Sequence, residues 1–274
     1  MPPRLAPAAI LAGTMSLLGC GRETGGQVTM FDVPTLDHVT QEQWRSLAAR
    51  RLFFGHQSVG GNVMEGVRDV LTSNPQISLR VIETADPLHM KEPGLYHAVI
   101  GRNGAPDSKL LAFTKIVTEG IADSGTAMLK YCYVDITRHT DPDAFFKSYR
   151  GAIDSLRAAH PTLTIVHMTL PLRADRGTWH HVKTIVRGNI PERELNLTRQ
   201  RYNEMLRVTY GGREPVFDLA FFESRRPDGG AASVRYQGQE VPVLAREWTN
   251  DGGHLNPRGR RRIAEAFLAT LASQ

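Results

Sequence analysis

The strongest constraint on the fold is an alternation of strand-like and helical segments that runs from residue 37 to residue 274. Short apolar runs rich in β-branched and aromatic residues are followed by stretches whose apolar residues recur every three or four positions. The predicted strands are residues 51–54, 77–82, 127–136, 162–170 and 215–221, and the predicted helices are residues 58–71, 110–121, 141–160, 196–208 and 257–271. This alternation predicts an α/β fold with a mostly parallel sheet and helices on both of its faces.

The first twenty residues have the pattern of an export signal rather than of a folded element. Residues 1–4 carry one positive charge, and residues 5–18 are apolar and uncharged, a run too short to span a bilayer as a helix. The run ends in LLGC at residues 17–20, which resembles the bacterial lipobox, where the cysteine is acylated and becomes the new N-terminus. An ordinary signal peptide that contains a cysteine, or a buried N-terminal strand, is the alternative.

We therefore expect three regions along the chain. Residues 1–19 are predicted to be a lipoprotein signal peptide, residues 20–36 a Gly-rich polar tether that begins at a lipidated Cys20, and residues 37–274 a single domain. A lipid of this kind anchors a soluble domain to one membrane face without spanning the membrane. The predicted location is extracytoplasmic, on a periplasmic or cell-surface face.

Composition narrows the class of protein and of partner. With 41% apolar and 22% charged residues, the chain is neither collagen-like nor disordered. The formal net charge of +5 is small, and the export signal and the lack of a recognised module argue against binding to nucleic acid. Of the two cysteines, Cys132 lies in a β-rich run and is predicted to be a buried, reduced, structural thiol.

A first segment with chemical character follows the first predicted strand. It reads FFGHQSVGGN over residues 53–62, so a strand leads into a tight turn and a helix begins at or just after Ser58. In doubly wound sheets, ligands bind at the carboxyl ends of the strands, where this turn would present a hydroxyl. Ser58 could equally be only the N-cap of the helix. His56 is predicted either to contact substrate or to be a simple turn residue.

A second segment precedes the last predicted helix. It reads WTNDGGHLNP over residues 248–257 and holds an aspartate and a histidine three residues apart, separated by two glycines. The glycines allow the carboxylate of Asp251 to reach Nδ1 of His254, which leaves Nε2 free to act as a base. With Ser58, these residues supply the three parts of a nucleophilic triad. A structural role for His254 in its loop is the alternative.

Together, the two segments resemble the SGNH (GDSL-type) hydrolases, in which a Gly-Asp-Ser block follows the first strand and an Asp-x-x-His block precedes the last helix. The second block fits closely, whereas the first reads Gly-His-Gln-Ser at residues 55–58, with one extra residue and no aspartate. The resemblance covers the whole predicted domain. It implies a flavodoxin-like three-layer α/β/α sandwich and a catalytic triad of Ser58, His254 and Asp251.

The blocks that complete the oxyanion hole in this family depart further from the pattern. Val134 stands where the family has an asparagine at the end of a long strand. Residues 100–104 read IGRNG. The resemblance makes the N–H group of Ser58, that of Gly101 or Gly104, and the side-chain amide of Asn103 the candidate donors. Either Asn103 replaces the missing asparagine or the hole is built differently. Asp135, at the predicted strand end, either orients the site or caps the following turn.

The resemblance implies a serine esterase that needs no cofactor and acts on ester-bearing carbohydrate or on small acyl esters. A glycan O-acyltransferase with the same triad, and a catalytically silent glycan-binding lipoprotein, are the alternatives. The pair His180-His181 has no third ligand at a suitable spacing, so we predict no metal site and an exposed loop pair. Four arginines at 258, 260, 261 and 262 form either a solvated helix face or a contact for anionic lipid or acidic glycan.

Overall fold

Five parallel strands form the centre of the fold. A computed structural model describes residues 35–274, which lie in one compact unit. The strand order is β2-β3-β1-β4-β5, with every pairing parallel. The five strands are β1 (Arg51–His56), β2 (Val81–Glu83), β3 (Gly94–Val99), β4 (Thr126–Leu129) and β5 (Thr164–Ile165).

The strand that contains β5 changes its partner at Val166. The N–H of Val166 still donates to Ala127 of β4 at 3.0 Å. The next two residues form β6 (His167–Met168), which pairs in parallel with β7 (Val216–Phe217). One extended segment therefore connects the five-stranded sheet to a further parallel pair.

Neighbouring side chains of β1 show how the two helical layers pack. Phe53 stacks on Phe113 of one layer with ring centroids 6.3 Å apart, and Phe54 packs on Phe267 of the other at 5.3 Å. The first layer holds α3 (Pro106–Gly120), α4 (Pro142–Ala159) and α6 (Glu192–Tyr210), and the second holds α1 (Gln41–Ala48), α2 (Val59–Ser73), α7 (Leu219–Glu223) and α8 (Pro257–Ala272). The predicted three-layer α/β/α sandwich is confirmed.

Two predicted strands are too long. The strand predicted at 127–136 ends at Leu129, because the carboxylate of Asp135 accepts the N–H of Cys132 at 2.7 Å and closes a 3₁₀ turn over Tyr133–Asp135. The strand predicted at 215–221 ends at Phe217. There Asp218 caps α7 by accepting the N–H of Phe221 at 3.1 Å.

Other elements differ from the sequence pattern or were missed. The strand predicted at 77–82 is reduced to β2, and neither β3 nor α1 was predicted. Residues 173–194 and 223–249, for which no element was predicted, contain α5 (Thr178–Val186) and an antiparallel hairpin of β8 (Ser233–Tyr236) and β9 (Gln239–Pro242). The predicted signal peptide, Cys20 and nearly all of the predicted tether lie outside the described residues. Within residues 35–274, no helix is both long and apolar enough to cross a membrane.

The close crossing of α2 and α8 depends on Gly66. A Cβ atom there would lie 2.3 Å from the carbonyl oxygen of Arg260 and 2.9 Å from Cβ of Ala264. The loop before α2 carries Ser58, and the loop before α8 carries Asp251 and His254. The crossing therefore sets the separation of the two chemically distinctive segments.

We expect Gly66→Ala to lower the free energy of unfolding by about 1–3 kcal/mol, because the added methyl group forces the two backbones apart. Gly151→Ala is the matched control at an exposed position of α4, where no atom lies within 4 Å of the new Cβ. It should raise the free energy of unfolding by about 0.5–1 kcal/mol. Urea denaturation measures both, and equal stabilities of the two variants would contradict the tight crossing.

Candidate active site

Ser58 lies on a sharp turn between β1 and α2. Its backbone angles are φ 47° and ψ −106°, and Gln237 is the only other non-glycine residue with positive φ in the described part of the chain. Holding such a residue costs on the order of 1–3 kcal/mol, and such strain clusters at functional sites. The Ser58 side chain makes no capping bond to α2. Its role is therefore not that of an N-cap.

Three contacts hold this turn in place. Gly60 packs directly on His56, because a Cβ atom at Gly60 would lie 2.4 Å from Cβ of His56. The buried Nζ of Lys130 donates to the carbonyl oxygen of Gln57 at 2.8 Å. The side chain of Gln57 donates in turn to the carbonyl oxygen of Gly101 at 2.9 Å, which ties the loop after β3 to the turn.

The structure brings the three predicted triad residues together. Oγ of Ser58 lies 2.6 Å from Nε2 of His254, and Nδ1 of His254 lies 2.6 Å from Oδ2 of Asp251. With the proton on Nδ1, the imidazole donates to the carboxylate and presents Nε2 as the acceptor for the serine hydroxyl. The side chains of His254 and Asp251 are 45% and 55% exposed, so the site is open to water.

The second carboxylate oxygen of Asp251 is held by its own loop. Oδ1 accepts the N–H groups of Gly253 and His254, both at 2.8 Å. Desolvation opposes ionisation, but the bond from the His254 side chain and these backbone bonds hold the pKa of Asp251 well below its usual range. The carboxylate is therefore charged at neutral pH and can stabilise a protonated His254.

Neighbouring segments fix the loop that carries Asp251 and His254. Oδ1 of Asn62 in α2 accepts the N–H of Leu255 at 3.2 Å. The N–H of Ala174 donates to the carbonyl oxygen of Gly252 at 3.0 Å, and Nη2 of Arg176 donates to the carbonyl oxygen of Asp251 at 3.2 Å. The loop is thus bound on one side by α2 and on the other by residues 173–176.

Tyr133 forms a wall of the site beside the imidazole. Its ring stands edge-on to His254 with centroids 6.0 Å apart, and the guanidinium of Arg173 lies 4.9 Å from the Tyr133 ring centroid. Burial raises the pKa of Tyr133, although Arg173 opposes the shift. The phenol therefore stays protonated at neutral pH and keeps a hydrogen-bond donor.

The predicted oxyanion donors are not equally available. The N–H groups of Ser58 and Gly101 have no hydrogen-bond acceptor among residues 35–274. The N–H of Gly104, by contrast, donates to Oδ1 of Asp135 at 2.9 Å and is already occupied. The prediction for Gly104 is corrected for that reason. The carbonyl of Asn103 accepts Nζ of Lys109 at 3.0 Å, which leaves its amide NH₂ as the free end of the side chain.

A buried ion pair anchors the loop of candidate donors. Nζ of Lys109 lies 2.8 and 2.5 Å from the two carboxylate oxygens of Asp135, and both side chains are fully buried. The same carboxylate accepts the N–H groups of Cys132 and Gly104. Asp135 therefore both caps its own turn and orients the loop at 101–104, the two roles that the sequence left open.

Of the two roles that the sequence left open for His56, its surroundings favour the structural one. The residue is 3% exposed, and its Nε2 lies 3.1 Å from Nδ1 of His97, whose Nε2 accepts Nη2 of Arg68 at 2.9 Å. A ring enclosed in this way beneath α2 does not reach a ligand at the surface. The substrate-binding role predicted for His56 is corrected to a structural one under the Ser58 turn.

The remaining candidates have ordinary structural surroundings. Cys132 is a free, buried thiol, and the His180-His181 pair lies on α5 rather than in a loop. No cluster of His, Cys, Asp and Glu within residues 35–274 has the geometry of a metal site. On α8, Arg260 pairs with Glu65 and Asp69 and Arg261 pairs with Glu265, while Arg258 and Arg262 lie over the ring of Trp248.

Sequence reasoning missed the supporting residues Lys130, Arg173 and Tyr133. Lys130 had a usable signal, since a lone charge inside an apolar strand is buried and needs a partner. Burial lowers the pKa of Lys130 to about 8. Burial also raises the pKa of Glu223 to about 8, and a negative charge on Glu223 favours the charged form of Lys130. Arg173 and Tyr133 had no such signal, because only the folding of distant segments brings them to His254.

A cavity of about 410 Å³ opens on the far side of Tyr133. Its apolar lining includes Val134, Ile136, Ile190 and Leu195. Because Tyr133 contacts both this cavity and His254, the cavity offers a binding space next to the triad.

The fold and the site together define an α/β protein with a Ser-His-Asp hydrogen-bond chain at the carboxyl end of its parallel strands. No family model and no curated protein matches the sequence. Solved structures with similar architecture include a protein assigned as an acylhydrolase from Bacteroides fragilis, with 16% identity, TM-score 0.47 and coverage of 85% of this chain and 94% of that one.

Two further solved structures were matched over most of this chain. A GDSL-like lipase from Bacteroides thetaiotaomicron has 14% identity, TM-score 0.46 and coverage of 83% of this chain and 89% of that one. The periplasmic domain of a lipopolysaccharide acetyltransferase from Salmonella ser. Paratyphi A has 8% identity, TM-score 0.38 and coverage of 79% and 81%. At this level of similarity, the functional argument rests on the side-chain geometry.

The buried histidines predict how stability depends on pH. Burial, with nearby cations, lowers the pKa of His56 to about 3, of His97 to about 4 and of His167 to about 3, from 6.5. At these three histidines the unfolded chain binds more protons than the folded one below pH 6.5. The raised pKa of Glu223 opposes this with a single proton, so the free energy of unfolding should still fall as the pH is lowered through this window.

Urea denaturation from about pH 7 to about pH 4.5 measures this dependence. His97→Gln removes one of the depressed groups and should flatten it, whereas His139→Gln, at an exposed position, should leave it unchanged. A wild-type stability that is independent of pH across this range would contradict the prediction.

Proposed function

We propose that the protein is a serine esterase that hydrolyses acyl esters through an acyl-enzyme on Ser58. The observation that carries the proposal is the hydrogen-bond chain from Oγ of Ser58 through His254 to Asp251, with both distances 2.6 Å. A nucleophile within reach of a base that is itself oriented by a carboxylate is the geometry that covalent acyl transfer requires. The rare backbone conformation of Ser58 supports the same reading, because a strand–turn–helix of this type lifts the hydroxyl out of the sheet.

In the proposed reaction, Nε2 of His254 takes the proton from Oγ of Ser58 as Oγ attacks the ester carbonyl. The ionised Asp251 stabilises the imidazolium, which then gives the proton to the leaving alcohol. The free N–H groups of Ser58 and Gly101 and the amide of Asn103 are the proposed donors to the oxyanion. Water, activated by His254, attacks the acyl-enzyme and releases the acid and Ser58. The chain's own residues supply every proton transfer, and the proposal includes no cofactor.

Small acyl esters and ester-bearing carbohydrate are the proposed substrates. The apolar cavity beyond Tyr133 supports binding of an acyl or other apolar group beside His254. The exposure of His254 and Asp251 favours water over a bound acceptor as the final nucleophile. We also propose that the protein is an extracytoplasmic lipoprotein held by Cys20, on the basis of the LLGC sequence at residues 17–20.

A fluorophosphonate probe tests the nucleophile. Wild-type protein should be labelled, and Ser58→Ala should abolish both labelling and hydrolysis of a p-nitrophenyl ester. Ser224→Ala, at a buried serine outside the site, is the matched control and should keep both. Labelling of Ser58→Ala at the wild-type rate would refute the assignment.

With an oligosaccharide added, release of free acid supports the proposal, and an acylated sugar in its place shows transfer.

Asp251→Asn tests the role of the carboxylate. The amide cannot stabilise a positive imidazolium and favours the wrong tautomer, so kcat should fall by about 10³–10⁴-fold. Asp228→Asn changes the same charge on an exposed loop and should leave kcat unchanged. Steady-state kinetics with a soluble ester measures both variants. An Asp251→Asn enzyme with near wild-type kcat would show that His254 acts without this partner.

A further inference from the structure

The apolar side of α5 faces away from the domain. At 100° per residue, Trp179, Val182, Ile185 and Val186 fall within an arc of about 120° of the helix surface. These four side chains are between 45% and 80% exposed, and no residue of α5 is buried. A surface helix ordinarily turns such a stripe towards the core.

The polar side of α5 is the one that contacts the domain. His181 stands edge-on to Tyr236 of β8 with ring centroids 5.6 Å apart, and His181 and Thr184 are the least exposed residues of the helix. The hydroxyl of Thr184 bonds back to the carbonyl oxygen of His180. The apolar stripe therefore faces outward while polar groups take the inner positions.

The charged residues of α5 itself and of its flanking turns are of one sign. Residues 176–191 contain Arg176, Lys183 and Arg187 and no aspartate or glutamate. A tryptophan and aliphatic side chains flanked by cations are typical of helices that lie in the interface of an anionic bilayer. Two copies packed stripe to stripe would bring Lys183 and Arg187 against their own like charges, which disfavours self-association.

We propose that the outward face of α5, defined by Trp179, Val182, Ile185 and Val186 with Lys183 and Arg187 beside it, docks onto an anionic lipid surface. The arginines of α8 are poor candidates for this contact, because Arg260 and Arg261 are already paired with carboxylates. The docking face is a second membrane contact, distinct from any lipid on Cys20.

The position of α5 connects this surface to the site. Residues 173–176, directly before the helix, contact the loop that carries Asp251, and Ile190, shortly after it, lines the cavity beside Tyr133. The segments on both sides of α5 therefore connect the docking face to the Asp251 loop and to the lining of the cavity. The docking itself does not depend on the esterase proposal, because it involves no triad residue.

Trp179 provides a local readout of docking in the full chain. The chain has three tryptophans, and Trp44 and Trp248 are buried in the core. Vesicles of phosphatidylglycerol and phosphatidylcholine in equal parts should shift the emission of Trp179 to the blue, and brominated lipids should quench it. Trp179→Phe should remove the response. Membrane binding through residues 5–18 alone would leave Trp179 in water, so the two contacts are distinguishable.

Two surface variants separate the apolar and electrostatic contributions. Lys183→Gln with Arg187→Gln should weaken the vesicle response on the order of 10–30-fold, since each cation near an anionic surface contributes about fivefold. Val182→Ser with Ile185→Ser should abolish the blue shift while turnover of a soluble ester stays at the wild-type level. That turnover also reports that the variants fold.

Three results would overturn the docking proposal. The first is an unchanged Trp179 spectrum in the presence of anionic vesicles. The second is an equal response to pure phosphatidylcholine, which would remove the role of charge. The third is a concentration-dependent blue shift without vesicles, which would show that a second copy covers the stripe. Loss of fluorophosphonate labelling, by contrast, would refute the esterase proposal and leave the docking result untouched.

Discussion

The backbone conformation of Ser58 is the constraint on which the rest of the site depends. A non-glycine residue at φ 47° is maintained only where its surroundings over-determine it. Here Gly60 permits α2 to start directly over His56, Lys130 binds the preceding carbonyl from below, and Gln57 ties the turn to Gly101. This strained turn places the Ser58 hydroxyl at hydrogen-bond distance from His254. The hydroxyl has no capping role.

Buried charged side chains, rather than apolar packing, hold the loops around Ser58 in place. Lys109 and Asp135 form a fully buried pair that binds the side chain of Asn103 and the N–H of Gly104, and the buried Lys130 donates to the carbonyl oxygen of Gln57 in the serine turn. Buried pairs are weak contributors to net stability, but removing one partner is costly because a lone charge remains. The Lys109–Asp135 pair and Lys130 act here on geometry, since each fixes a loop that borders Ser58.

The sequence was sufficient for the layers of the fold and for the grouping of Ser58, His254 and Asp251, because these depend on periodicity and on two short motifs. It was insufficient where a side-chain bond overrides a local pattern, as at Asp135 and Asp218, which end strands that apolar runs would have extended. The β3 strand was missed although it lies beside β1. His56 and Gly104 were misassigned for the same reason. Closeness to the site in the sequence does not show whether a side chain or an N–H group already has a hydrogen-bond partner.

Ser58 and His254, the proposed nucleophile and base, are 196 residues apart in the chain. As the chain emerges N-terminus first, the serine is made early and its histidine only after every strand of the parallel sheet. Contacts between residues so far apart in the sequence form late, because the entropy of closing the intervening loop is lost before the contact stabilises the fold. We therefore expect Ser58 to lack its His254 partner in a nascent or partly folded chain. The two side chains meet only when α8 has packed on α2.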